Sequence, residues 1–156
     1  MKRPKQKLII EQMDKKLTLF KAVNGIDPPT SGWIQAIRTT LKMSLRQFGE
    51  RMRITSQSAR EIEQREASGT LSLKSLRDVA NAMDMKLVYG FVPLKGSLQA
   101  MIEKRAYEVA RTIVMRTSQS MKLEDQEVAK ARLEKAIQEL AEEIRQEMPR
   151  YLWDLK

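Results

Sequence analysis

Apolar side chains recur at helical spacing along most of this chain. Ile9, Met13, Leu17 and Phe20 fall at i, i+4, i+8 and i+11, the repeat of one helical face, and predict an amphipathic helix over residues 5–22. Asn24-Gly25 and the run Asp27-Pro28-Pro29-Thr30-Ser31-Gly32 cannot extend it, because proline lacks a backbone donor and glycine disfavours helix, so a linker is predicted. Four short helical patterns follow. Trp33, Ile34, Ile37 and Leu41 make the first stripe; Ser44 caps a second helix carrying Leu45, Phe48, Gly49 and Met52. Thr55 caps a third, running to about Arg65, and Ser72 caps a fourth with Leu73, Leu76, Val79, Ala80 and Met83.

The pattern then changes. Lys86-Leu87-Val88-Tyr89-Gly90-Phe91-Val92 is β-branched and aromatic and ends at Pro93, which predicts a short strand. Such a strand needs a ladder partner, either its copy in a dimer or another extended piece of this chain. Leu98, Ile102, Ala106, Val109 and Ile113 mark a further helix, and Leu133, Ile137, Leu140, Ile144 and Met148 the last, with a break expected between Ser118 and Met121. The predicted class is mainly α: an N-terminal helix and linker (1–32), a four-helix core (33–85), a short strand and turn (86–96) and a C-terminal helical region (97–156). A lone N-terminal helix must cover its apolar face against the C-terminal region or a second subunit, and the second subunit is the expectation here.

Charge separates the chain further. Residues 1–96 hold 18 basic and 9 acidic side chains, whereas residues 97–156 hold 11 of each, so the whole net charge of +9 sits in the first part. That part would attract a polyanion, and the neutral remainder suggests a second task such as dimerisation or partner binding. Cysteine and histidine are both absent. Disulfides, thiolate and imidazole chemistry and the usual zinc or iron ligand sets are therefore not expected, and no cofactor or metal is assigned. Ser56 and Ser58 have no histidine to activate them, and Glu124-Asp125 and Glu142-Glu143 stand among basic neighbours as solvated surface, so no enzyme is expected. The basic start is broken by Glu11 before it could form a signal sequence, and no run approaches a membrane span, which points to a cytoplasmic chain.

The informative stretch runs from Ser44 to Glu66. Two helices separated by Met52-Arg53-Ile54 must cross steeply, and only small residues at the contact let their backbones approach; Gly49 and Ala59 fit that need, with Ile54 and Ile62 as buried plugs. Glycine within a helix costs about 1 kcal/mol relative to alanine, so close packing explains Gly49 better than propensity does. With Ala59 and Ile62 inward, the third helix turns Ser56, Gln57, Ser58, Arg60, Glu61 and Gln64 outward. A helix in the major groove reads bases with such residues near its start, glutamine pairing with adenine and arginine with guanine, which makes Gln57 and Arg60 the leading base readers. RNA recognition lacks the aromatic stacking pair and glycine-clamp loop it would need.

Residues 33–85 resemble the Xre/Cro-type, lambda-repressor-like helix-turn-helix family, in which an arginine of the first helix pairs with a glutamate of the recognition helix. Arg38 and Glu63 occupy those positions, and the resemblance implies that they form an ion pair that also orients Arg38 toward a phosphate. The family's glutamine at the start of the second helix is Leu45 here, leaving Arg46 or Gln47 to replace it. Phosphate contacts are accordingly expected from Arg38, Ser44, Arg46, Gln47, Thr55 and Arg65. Pro28-Pro29 before Gly32-Trp33-Ile34, Leu87-Val88-Tyr89 before Val92-Pro93, Met121-Lys122-Leu123-Glu124-Asp125-Gln126 and the ending Leu152-Trp153-Asp154 resemble the family called mobile mystery protein A. Its members are small helix-turn-helix proteins of mobile elements, encoded beside mobile mystery protein B, which carries a Fic domain.

Two expectations follow. One is a homodimeric transcriptional repressor on an inverted repeat of double-stranded DNA. The other is an antitoxin-like protein whose residues 97–156 hold a Fic-domain partner, with Tyr151, Leu152 and Trp153 as the partner-binding cluster and DNA binding serving autoregulation; the same cluster could instead dock on its own helix.

Overall fold

The computed structural model describes residues 2–118 and 126–155. Among them the chain is mainly helical: α1 (Lys2–Thr18), α2 (Trp33–Thr40), α3 (Leu45–Met52), α4 (Ser56–Ala67), α5 (Leu73–Ala82), α6 (Leu98–Ser118) and α7 (Gln126–Glu147), with 3-10 turns at Lys21–Val23 and Arg150–Trp153. Two units separate by packing. One joins Met1–Lys21 to Phe91–Lys156, and the other is Ala22–Gly90. The expected break between Ser118 and Met121 and the expected motif over residues 121–126, with the Glu124-Asp125 pair, lie outside the described residues except for Ser118 and Gln126. No described helix is long and apolar enough to cross a membrane.

The first unit is built on α6 and α7. Ile102, Ala106 and Ala110 share one face of α6 and meet Ile137, Ala141 and Ile144 of α7, where the alanines let the two backbones draw close. α1 adds Ile10 to this core, and the terminal 3-10 turn adds Leu152, which is fully buried. The N-terminal helix therefore packs on the C-terminal region of its own chain. Its inward face also differs from the expected one: Ile10 is buried and Asp14 and Leu17 are half-buried, whereas Ile9 and Met13 are exposed. Asp14 explains the shift. Its carboxylate accepts the backbone N–H groups of Leu98 (2.8 Å) and Gln99 (3.2 Å), so a residue distant in sequence caps the donors at the start of α6. Arg105 fastens the chain end, donating through Nε to the Leu152 carbonyl (2.6 Å) and through a terminal nitrogen to that of Asp154.

The second unit gathers α2 to α5 around Ile34, Phe48, Ala59, Val79 and Met83, with Ile37, Met43, Leu45, Met52, Ile54, Ile62, Leu71 and Leu76 packed against them. Its helix starts are fixed locally. Ser44, Thr55 and Ser72 each accept the backbone N–H three residues on, at 3.1 Å in every case. Residues 86–92, expected as a strand, carry no regular secondary structure. Among the described residues no strand pairs with them, and Tyr89 turns back toward α5, its hydroxyl accepting from Arg77 at 3.3 Å with the guanidinium 5.8 Å from the ring centre.

Candidate nucleic-acid interface

Three devices hold α4 against α3. The first is the missing side chain at Gly49: a Cβ there would stand 2.8 Å from the carbonyl oxygen of Ile54 and 3.2 Å from the carbonyl carbon and oxygen of Thr55. The backbone of the turn thus lies directly on α3, at a distance that no side chain permits. The second is the turn itself, in which Arg53 closes α3 in the left-handed region (φ 57°) and the Ile54 N–H returns to the Gly49 carbonyl at 2.9 Å. The third is Ala59, fully buried on the inward face of α4.

Behind α4, Glu63 is a buried charged residue, 4% exposed. Arg38 of α2 neutralises it, donating through Nε and a second guanidinium nitrogen to its two carboxylate oxygens, and another nitrogen reaches the Met43 carbonyl at 2.8 Å. The structure thus brings together the two residues named from the family resemblance. Arg38 has its donors turned inward and its side chain only 11% exposed, which leaves little of it to meet a phosphate. A neighbouring contact had no signal in the sequence: Glu66 accepts the Trp33 backbone N–H at 3.0 Å and caps α2 from the far end of α4. Gly32 (φ 85°) makes room for it, since a Cβ there would fall 1.8 Å from the other Glu66 carboxylate oxygen.

The outward face of α4 is different. Gln57, Arg60, Glu61 and Gln64, spaced three, one and three residues apart, occupy one side of the helix and are all exposed. Among the described residues none of these four side chains has an intramolecular hydrogen bond or ion pair, so their donors and acceptors are available to a ligand. Ser56 is exposed beside them, whereas Ser58 is half-buried and its hydroxyl accepts from Thr55 at 3.0 Å.

The expected phosphate contacts divide in the same way. Ser44 and Gln47 form a reciprocal capping box at the start of α3, the Ser44 N–H donating to Gln47 Oε1 at 2.8 Å, and Thr55 is engaged as the cap of α4. Arg46 is exposed and pairs with Glu50 at 2.6 Å; Arg65 is exposed and reaches the Thr70 carbonyl at 3.3 Å. In the other unit Tyr151 and Trp153 are about half exposed, but Leu152 between them is buried and cannot serve a partner. Comparisons with protein-family models, curated proteins and solved structures found no match to this chain.

Proposed function

We propose that this chain is a sequence-specific DNA-binding regulator of the helix-turn-helix type, with α3 and α4 as the motif and α4 as the helix that enters the major groove. The observation that carries this reading is the row of four unengaged polar side chains, Gln57, Arg60, Glu61 and Gln64, on a helix whose opposite face is locked to α3 at Gly49 and Ala59. Rigid placement matters because a base contact is lost when the reading side chain shifts by a fraction of an ångström. Gln57 and Arg60 are assigned to base edges, and Arg46 at the start of α3 and Arg65 near the end of α4, both exposed, to phosphates. One short helix reads too few base pairs for a unique site, so the proposed form is a homodimeric repressor on an inverted repeat.

A gel-shift with the DNA upstream of the chain's own gene tests the assignment. Arg60→Ala should remove about 1 to 3 kcal/mol of discrimination at one base pair, whereas Arg46→Ala should weaken every sequence alike and lower the salt slope by about 0.9. If both variants lose affinity uniformly while keeping sequence preference, α4 is not the reading helix.

A further inference from the structure

Positive charge does not follow the proposed reading unit. Ala22–Gly90 holds ten basic and seven acidic residues, a net +3, and one of its arginines, Arg38, is held inward by the buried Glu63 carboxylate. Residues 2–21 hold seven basic and two acidic residues, a net +5, on one short stretch. One of those two acids, Asp14, is turned inward onto the start of α6. Lys5, Lys7, Lys15 and Lys16 are exposed on α1, and among the described residues none of them has an ion pair. Anchoring by Ile10, Asp14 and Leu17 fixes the helix while leaving these ammonium groups in solvent.

We infer that α1 is a second DNA contact, a sequence-independent one, through which Lys5, Lys15 and Lys16, on the helix face opposite Ile10, neutralise backbone phosphates of duplex DNA. The inference rests on the DNA-binding reading above. Its basis is charge complementarity: a polyanion releases condensed counterions for each phosphate a cation meets, and residues 2–21 carry a net +5 with four exposed lysines that have no ion pair among the described residues. Exposed lysine is suited to this because it is a mobile point charge with no geometric demand, whereas base reading needs the fixed side chains of α4.

The test is the salt dependence of binding to a fluorescein-labelled duplex of about 30 base pairs taken from upstream of the gene, with a scrambled duplex alongside. The variant is Lys5→Gln/Lys15→Gln/Lys16→Gln, in which glutamine preserves helix propensity and the residues that anchor α1 are untouched. Unchanged circular dichroism and melting establish that it is folded.

Each of the three lysines that meets a phosphate should remove about 0.9 from the slope of log K against log salt, so the variant's slope should fall by about 2 to 3, equally on both duplexes. The wild-type advantage should then shrink about fifteen- to sixtyfold between roughly 0.05 and 0.2 M salt, with sequence preference intact. A slope change under about 0.5 in the folded variant, with wild-type protein still preferring the upstream duplex, overturns this inference and leaves the reading helix standing. Failure of wild-type protein to bind either duplex overturns the DNA-binding reading and this inference with it. Phosphatidylglycerol vesicles serve as the second probe: binding to them in place of the duplex, lost in the variant, would assign α1 to an anionic membrane and overturn the inference.

Discussion

Gly49→Ala should destabilise the Ala22–Gly90 unit even though it improves helix propensity. In an open helix this change is worth about 1 kcal/mol of added stability. Here the new methyl would lie 2.8 Å from the Ile54 carbonyl oxygen and 3.2 Å from the carbonyl carbon and oxygen of Thr55, all of them backbone atoms with no rotamer to escape into. The turn is held at both ends, by the Ile54 N–H bonded to the Gly49 carbonyl and by Thr55 capping α4, so relieving the overlap moves the start of α4. Overpacking of this kind costs about 1 to 3 kcal/mol and a disturbed cap about 1 kcal/mol more, so a net loss of about 1 to 3 kcal/mol remains after the propensity gain.

For a unit of this size each kcal/mol moves the melting temperature by about 4 to 8 °C. The chain has two tryptophans, Trp33 in this unit and Trp153 in the other, so thermal melts followed by fluorescence in a Trp153→Phe background report on this unit alone. Gly25→Ala is the control, because nothing lies within 4 Å of its added methyl and Gly25 is not among the positive-φ residues. It should be neutral or stabilising by up to about 1 kcal/mol. If Gly49→Ala melts at or above the parent while Gly25→Ala behaves as described, the close-approach account of the α3–α4 contact is wrong.

Two further substitutions test what holds each unit. Glu63→Gln leaves the Arg38 guanidinium inside the unit without a counter-charge and should cost about 3 kcal/mol in urea unfolding, whereas Arg38→Met/Glu63→Leu should recover most of that loss; equal costs for both would mean the pair is not desolvated. Asp14→Ala removes the acceptor from the Leu98 and Gln99 N–H groups and should cost about 1 kcal/mol, read from Trp153 fluorescence in a Trp33→Phe background, and a change there of less than about 0.2 kcal/mol would contradict the capping role.

Where structure depended on neighbours in sequence, the residues alone located it. Ser44, Thr55 and Ser72 mark helix starts because a hydroxyl three residues before an N–H is a purely local device, and Gly49 marked the close approach because a glycine has few other reasons to interrupt a helix. What failed depended on partners far along the chain. Counting apolar side chains on α1 gave the stripe through Ile9 and Met13, because the true inward face contains Asp14, a charged residue that belongs there only through α6, 84 positions away. The cap of α2 by Glu66 was hidden for the same reason. The run at residues 86–92 has strand composition, but composition supplies no ladder, and Arg77 offers Tyr89 a different partner. At the end of the chain the apolar cluster looked continuous; a 3-10 turn with three residues per turn buries Leu152 and leaves Tyr151 and Trp153 outside.

A linear sum places the net charge on residues 1–96, and the fold divides those residues between two units. Under the proposed function this division has a physical consequence. Base discrimination by Gln57 and Arg60 depends on hydrogen-bond geometry, which added salt weakens little, while attraction through the α1 lysines acts on every sequence and declines steeply with salt. A chain that placed all its excess cations on the reading helix would couple the two, since any substitution altering affinity would alter preference as well. Here substitutions on α4 should change the ratio between specific and scrambled duplex at every salt concentration, and substitutions on α1 should change both affinities together, so the two sets should combine additively in the free energy of binding.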